Sequence, residues 1–342
     1  MFKRKTREIK IGKVKIGGTN PVAIQSMCST KTSNIRATVA QILKLEKEGC
    51  EIIRVGVPNL ASARAIHEIK KQIHIPIVAD IHFNADLALA AIESGADKIR
   101  INPCNTPRSG LIKIITAAKN TKIPIRIGIN SGSIRPFKEK ITANDLIREA
   151  KKQIRFFEKH NFRNLVISLK HTDVSETIKA YRAISRLYNY PLHVGVTEAG
   201  TLINGISKNA IAIGNLLLTG IGDTIRVSLA ENPIQEVRAA KAILKALNLY
   251  KKEPTLIVCP TCSRCEIDVL KLSRELEPRL SAIKKPLRIA LMGCAVNGPG
   301  EAKQADFAIV GSRAKGMIYK KGKVIKIVPE KNLAKEFLRI IQ

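Results

Sequence analysis

The sequence contains no tryptophan, and aromatic residues make up 4% of its 342 positions. Little material is available for the stacking platforms that hold single-stranded nucleic acids. No run of 18 uncharged apolar residues occurs, which excludes a spanning helix. The opening Met-Phe-Lys-Arg-Lys-Thr-Arg leads into no apolar core of a secretory signal, so a cytoplasmic location is expected. A Gly-x-Gly-x-x-Gly fingerprint after the first strand is missing too, which argues against a dinucleotide-binding open sheet. Acidic residues are scarce: 28 Asp and Glu face 59 Lys and Arg, for a formal charge of +31. The lysines are spread along the chain rather than gathered in a tail. They read as a solvated surface, with neither nucleic acid nor a membrane as the expected partner.

Hydrophobic residues at 45% and charged residues at 25% are ordinary for a folded soluble chain of one large or two medium domains. Four of the seven cysteines fall in the last quarter, as Cys259-Pro-Thr-Cys262-Ser-Arg-Cys265 and Met-Gly-Cys294-Ala-Val-Asn-Gly-Pro-Gly-Glu301. Thiolates are soft ligands that select iron–sulfur clusters, zinc or copper(I), and a CxxC pair places two sulfurs within reach of one centre. Pro, Gly and Asn surround these thiols rather than a periodic apolar pattern, which favours a metal site over buried core cysteines. An odd cysteine count without a signal segment argues against disulfides. Cys28, Cys50 and Cys104 stand alone and read as core or strand-end residues.

Residues 8–16 alternate as a hairpin closed near Gly12. Eight apolar strands are then expected at 22–27, 52–57, 77–82, 98–102, 125–130, 165–170, 192–198 and 224–229. Helical spacing fills intervals such as 35–48, 60–71, 85–94, 143–159, 174–187 and 233–247. Eight such units in about 250 residues predict a (β/α)8 TIM barrel, with a doubly wound sheet as the competitor. Lys251-Lys-Glu-Pro254 marks a boundary, dividing a barrel domain (1–250) from a smaller α/β domain (251–342) that carries the cysteines. Its expected parts are strands at 256–258, 287–292, 307–310 and 317–328 and helices at 269–280 and 331–341.

Barrel chemistry sits at the C-terminal strand ends, and those ends are polar here. Arg54, Asp80, His82, Arg100, Asn102, Arg126, Asn130, Ser168, Lys170, His193, Glu198, Arg226 and Ser228 all lie on or beside them. Alternation puts Arg100 with Asn102, and Arg126 with Asn130, on shared faces. Several guanidinium groups converging on a polyanion would solve the cost of burying them, and a diphosphate suits their planar forks. The alternative is structural pairing with Asp80, Asp97 or Glu198.

These residues fall in stretches that carry a resemblance: Pro21-Val-Ala-Ile-Gln-Ser-Met27, Glu51-Ile-Ile-Arg-Val-Gly-Val-Pro58, Ala79-Asp-Ile-His-Phe83, Ile99-Arg-Ile-Asn-Pro103 and Arg126-Ile-Gly-Ile-Asn130. Three more are highly specific: Gly220-Ile-Gly-Asp-Thr-Ile-Arg-Val-Ser-Leu229, Cys259-Pro-Thr-Cys-Ser-Arg264 and Asn297-Gly-Pro-Gly-Glu-Ala302. Nearly end to end, the chain resembles the family of 4-hydroxy-3-methylbut-2-en-1-yl diphosphate synthases, iron–sulfur enzymes of the methylerythritol phosphate route to isoprenoids, in its shorter bacterial form.

The resemblance implies a barrel followed by a [4Fe-4S] domain, in a head-to-tail homodimer whose active site spans two chains. It implies Cys259, Cys262 and Cys294 as cluster ligands, with Glu301 on the fourth iron as an oxygen ligand that substrate can displace. Cys265 stays outside the cluster on this reading, although spacing alone also allows an all-thiolate site. The implied reaction is reductive ring opening of 2-C-methyl-D-erythritol 2,4-cyclodiphosphate, with two electrons taken up and water lost. Arg54, Arg100, Arg126, Lys170 and Ser228 would hold the cyclic diphosphate, and Asn130 and Asp80 would orient it. Glu198 would stand near the reacting carbons as proton donor. Reduced flavodoxin or ferredoxin, both small acidic carriers, would supply the electrons. Two other readings stay open on residues alone: a zinc-binding nucleic-acid module fused to an α/β domain, and a barrel transferase with a structural cluster.

Overall fold

The computed structural model describes residues 3–134 and 139–341, and the chain divides into two compact units, Met1–Leu247 and Asn248–Gln342. In the first unit a short antiparallel hairpin, β1 (Ile9–Ile11) and β2 (Val14–Ile16), turns at Gly12, whose φ of 53° is left-handed. The hairpin's Ile9, Ile11 and Ile16 pack with Ala23, Ile52, Val78 and Val166 near the starts of barrel strands, forming an apolar floor. Each such isoleucine contributes about 1.5–3 kcal/mol by leaving water.

The barrel strands are β3 (Ala23–Met27), β4 (Ile52–Gly56), β5 (Ile77–Ile81), β6 (Lys98–Ile101), β7 (Ile125–Asn130), β8 (Leu165–Lys170), β9 (His193–Val194) and β10 (Thr224–Ile225). All neighbours are parallel, in the order β8-β7-β6-β5-β4-β3-β10-β9. A parallel bridge between Ile167 and Leu192 joins β8 to the start of β9 and brings the two ends of the ring together. The last two strands are shorter than the sequence predicts. Beyond Val194 the chain runs through Gly195 to Glu198, which takes a left-handed φ of 52° and cannot continue a ladder.

Eight helices follow these strands among the described residues: α1 (Ile35–Glu48), α2 (Leu60–Lys70), α3 (Ala85–Glu93), α4 (Arg108–Asn120), α5 (Ala143–Lys159), α6 (Val174–Leu187), α7 (Leu202–Leu218) and α8 (Pro233–Ala246). Their starts repeat one device. Asn34, Asn59, Asn84, Asp173 and Asn232 each accept a backbone N–H of the first turn, so the strand-to-helix loops end on caps. These capped connections fix the strand ends where the polar residues stand.

The second unit is a five-stranded sheet in sequence order: β11 (Thr255–Val258), β12 (Arg288–Met292), β13 (Phe307–Ser312), β14 (Lys315–Lys320) and β15 (Lys323–Pro329). The first three strands are parallel and the last two antiparallel. Helices α9 (Val269–Leu280) and α11 (Leu333–Ile341) pack on one face through Leu272, Leu276, Phe337 and Leu338. On the other face α10 (Gly298–Gln304) brings Ala302 against Ala290, Met292, Ala308 and Val310. The single strand expected at 317–328 is two strands, because Lys321 and Gly322 both take left-handed φ and make a tight hairpin turn.

Candidate active site

Strand alternation places one side chain in two inside the barrel, and two polar layers result. The upper layer lines a cavity of about 220 Å³ formed by Arg54, Asp80, His82, Arg100, Arg126, Asn130, Lys170, Thr197, Arg226 and Ser228. All seven residues expected to hold or orient a diphosphate stand together here, five of them buried and two, Asn130 and Ser228, half-buried. Glu198 is exposed on its left-handed turn and is not among the lining residues.

Asp80 is the hub of the layer. Its Oδ1 accepts from Arg100 Nη1 at 3.0 Å, and its Oδ2 lies 3.7 Å from Arg54 Nε. Burial alone would raise this carboxyl, but Arg54 and Arg100, helped by His82 and Arg126, hold it well below the usual carboxylate range. Arg100 Nη1 also donates to His82 Nε2 at 2.7 Å, and its Nη2 donates to the Gly128 carbonyl at 3.3 Å. A Cβ at Gly128 would stand 2.5 Å from Arg100 Nε, so this glycine makes the room in which the guanidinium lies.

Arg226 is gripped from behind. Its Nη2 and Nε donate to Oε1 and Oε2 of Glu236 at 2.9 and 3.2 Å, while Ser26 Oγ donates to Oε2 at 3.0 Å. Glu236 lies in the first turn of α8 and is buried, so a helix residue that the sequence analysis does not single out is part of the site's frame. No local sequence signal marks it, since its partner is ten residues upstream across a strand–helix loop. His82 and Arg226 are rim residues by sequence, although the resemblance does not assign them to the substrate; both line the cavity. Of the structural partners expected as alternatives for the arginines, Asp80 takes that part. Asp97 instead accepts from Lys70 Nζ at 2.8 Å and from the Ile77 N–H at 2.9 Å.

Beneath lies the second layer, with Gln25, Lys98, His193 and Thr224 buried in the barrel. Lys98 Nζ donates to Gln25 Oε1 at 3.3 Å, and His193 Nδ1 lies 2.9 Å from Thr224 Oγ1. Arg126 donates from Nη1 to Ser168 Oγ at 2.8 Å. Five buried nitrogens inside the barrel find no hydrogen-bond partner among the described residues: Gln25 Nε2, Arg100 Nε, Arg126 Nε and Nη2, and His193 Nε2. Burial, reinforced by neighbouring cations, pushes Arg126, Lys98, Lys170 and His193 well below their ordinary values, while Arg54 comes down to about 10. Five basic side chains and one carboxylate thus line the cavity, with Glu236 behind, for a formal excess of three positive charges that burial works against. Chemically this is a receptor for a compact polyanion.

In the second unit the cysteine segments follow the ends of adjacent parallel strands. Val258 pairs with Leu291, the Cys259 N–H donates to the Leu291 carbonyl at 2.9 Å, and Cys294 lies two residues beyond β12. Cys294 is buried, Cys259 and Cys265 are partly covered, and Cys262 is exposed. The backbone N–H of Arg264 draws the Cys262 thiol below its ordinary value. Glu301 stands in the first turn of α10, whose Ala302 shares an apolar layer with Cys259. Cys265 packs on the face that carries α9, where a Cβ at Gly293 would stand 2.6 Å from its Sγ, and its thiol also makes a hydrogen bond with Cys262. Topology therefore brings the expected ligand segments to one end of the sheet. Among the described residues no three of these side chains are already gathered at metal-holding distances. Burial pushes the thiols of Cys28, Cys50 and Cys104 up to about 12, as befits the core or strand-end positions expected of them.

Two family models match the chain, the GcpE TIM-barrel domain over residues 6–241 and the GcpE protein C-terminal domain over residues 255–342. A 4-hydroxy-3-methylbut-2-en-1-yl diphosphate synthase (flavodoxin) of Caldanaerobacter subterraneus subsp. tengcongensis is 54% identical, across 100% of this chain and 98% of the relative. The protein of the same name from Caldicellulosiruptor saccharolyticus is 53% identical over 98% of each chain, and that of Geobacillus kaustophilus 48% identical over 100% and 92%. Among solved structures, dihydropteroate synthase from Stenotrophomonas maltophilia matches 71% of this chain and 97% of its own, with a TM-score of 0.56 at 16% identity. That likeness shows the barrel fold alone. With both domain models matched and relatives of this identity aligned from end to end, the chain belongs to the GcpE family of 4-hydroxy-3-methylbut-2-en-1-yl diphosphate synthases.

Proposed function

We propose that the barrel cavity binds 2-C-methyl-D-erythritol 2,4-cyclodiphosphate and that the second unit carries the [4Fe-4S] cluster that reduces it. The observation that carries this reading is the cluster of basic side chains, with a formal excess of three positive charges, in a cavity of about 220 Å³, with five barrel nitrogens lacking a partner among the described residues. A cyclic diphosphate supplies oxygens for such donors. It also supplies counter-charge to Arg126 and Lys170, which burial, reinforced by neighbouring cations, weakens as cations. Arg54, Arg100, Arg126, Lys170 and Ser228 hold the phosphates on this reading, and Asp80 and Asn130 orient the ring. Asp80 does so through the arginines, since its carboxylate is already engaged by Arg100 and faces Arg54.

The donor set suits the cluster in kind: three soft thiols, Cys259, Cys262 and Cys294, plus one hard carboxylate, Glu301, on segments at one end of the sheet. When bound, such a cluster supplies two electrons one at a time and an iron whose oxygen ligand can exchange. Cys265, turned toward Gly293 and the α9 face, is left out of this set. Glu198 is the proposed proton donor for the departing hydroxyl. It is exposed and apart from the cavity lining, so this role requires the turn at 195–198 to bring it inward. Two chains pair head to tail in this proposal, each barrel mouth served by the partner's second unit, with reduced flavodoxin or ferredoxin as electron source. The proposed setting is the cytoplasm, and among the described residues no helix is long and apolar enough to cross a membrane.

The test is anaerobic turnover of the cluster-reconstituted chain with the cyclodiphosphate and either dithionite or reduced flavodoxin, following the linear diphosphate. Product with either reductant is the expected result. A brown, cluster-loaded protein that forms none with both would overturn the proposal.

A further inference from the structure

The face of the second unit that carries α10 is only partly covered. Helix α10 lies over β12 and β13 through Ala302, yet β15, the edge strand, presents Val324, Ile325 and Ile327 at 46, 46 and 61% exposure. Register fixes which side this is. Ile327 pairs with Met317 and Val324 with Tyr319, and both Met317 and Tyr319 belong to the apolar layer under α10. The same layer contains Cys259. An uncovered apolar strip is thus continuous with the packing that supports one proposed cluster ligand and the helix of another, Glu301.

Lysines rim this strip. Residues 315–329 hold five lysines and no Asp or Glu. Lys315 shares the face of Met317 by alternation and is exposed, and Lys321 is exposed at the hairpin turn, whereas Lys323 pairs with Lys320 and faces the side that carries α9. Lys303, two residues beyond Glu301, reaches the same turn: a Cβ at Gly322 would lie 3.2 Å from its Cγ. Lys320 and Lys326 serve elsewhere, over the Phe307 ring and in a pair with Glu336. An apolar centre with a cationic rim fits a partner with an apolar contact ringed by carboxylates.

We propose that this strip, centred on Val324 and Ile327 and rimmed by Lys303, Lys315 and Lys321, is where an acidic flavodoxin docks to deliver electrons. The proposal rests on the reading that this unit carries a reducible cluster. It adds the place of delivery: the flavodoxin's flavin edge would meet the sheet beside α10, with the packed layer of Met317, Tyr319 and Ala302 between it and Cys259. Charge sets the rate of encounter and the isoleucine–valine centre the residence time.

Two variants of the full chain test this, Ile327→Asp with Val324→Asp, and Lys303→Glu with Lys315→Glu and Lys321→Glu. Binding of flavodoxin is measured by titration calorimetry, and turnover is followed separately with reduced flavodoxin and with dithionite, which needs no docking surface. Both variants are expected to weaken flavodoxin binding about tenfold or more and to lower flavodoxin-driven turnover in step, while dithionite-driven turnover stays within about twofold. Rising salt should weaken the wild type more than the lysine variant. Unchanged flavodoxin binding would overturn the proposal. So would equal loss with both reductants, or a change of oligomeric state on size-exclusion chromatography, which would make the strip a face between copies of this chain. Should the wild type turn over with neither reductant, the function proposed above fails, and the calorimetric comparison still decides the docking site.

Discussion

Asp80 Oδ1 and Arg100 Nη1 stand 3.0 Å apart inside the barrel, both side chains buried, and the position of the guanidinium depends on that carboxylate. The pairing makes Asp80 a positioning residue whose loss would leave Arg54, Arg100 and Arg126 repelling one another. Asp80→Asn is expected to cost about 3–5 kcal/mol of stability at neutral pH, since it leaves buried charge without its partner. The dependence on pH follows from the depressed carboxyl. Its contribution is full above the unfolded value near 4 and is lost as pH falls toward the folded value, so the wild type weakens in acid below about pH 4. Chemical denaturation from neutral pH down into acid should show that slope in the wild type and a shallower one in the variant.

Gly128 offers a cleaner separation of stability from activity. A methyl group there meets the end of a flexible side chain, Arg100 Nε at 2.5 Å, rather than backbone. Gly128→Ala should therefore fold with a loss of about 1–2 kcal/mol while displacing the guanidinium from Asp80. Turnover efficiency should fall about 100-fold, chiefly through weaker substrate binding, read as a raised KM in steady-state kinetics.

Lys98 is buried with one weak acceptor, and burial holds its ammonium well below the ordinary lysine value. In the unfolded chain the same lysine is protonated up to about pH 10, so the native state gives up stability through the pH range between its folded and unfolded values. Lys98→Met, close in volume, should raise the melting temperature by several degrees at neutral pH, and the gain should fade as pH approaches about 10. A variant less stable than the wild type at neutral pH would show that Lys98 is held by more than Gln25.

The cluster set makes a paired prediction. Glu301→Ala should retain much of the cluster, seen in iron content and visible absorption, and lose most activity. Cys265→Ser should keep both. An iron-free Cys265→Ser protein would move Cys265 into the ligand set and Glu301 out of it.

Much of the fold is legible in the sequence because the βα rhythm is written in periodicities that local physics enforces. Helices expected at 35–48, 143–159 and 174–187 agree with α1, α5 and α6 to the residue, and Arg126 and Asn130, placed on one face by alternation, both line the cavity. What stays hidden comes from elsewhere. Glu236 acts across a strand–helix loop that sequence spacing cannot close, and β9 stops short of its apolar run as the backbone leads to the left-handed Glu198. The Lys321–Gly322 turn is a readable signal that a β-rich run on either side conceals. Cys265 shows the limit in the other direction: spacing leaves it equal to its neighbours, and its packing beside Gly293 on the face that carries α9 is visible in the fold alone.

The hairpin of Ile9, Ile11 and Ile16 closes the barrel's lower end, which among the described residues leaves the upper mouth as the doorway for everything the cavity handles. Arrivals and departures must then share a threshold. On the proposed reading, a spent molecule that keeps its phosphates would stay in the grip of the same arginines and block the next arrival until it lets go.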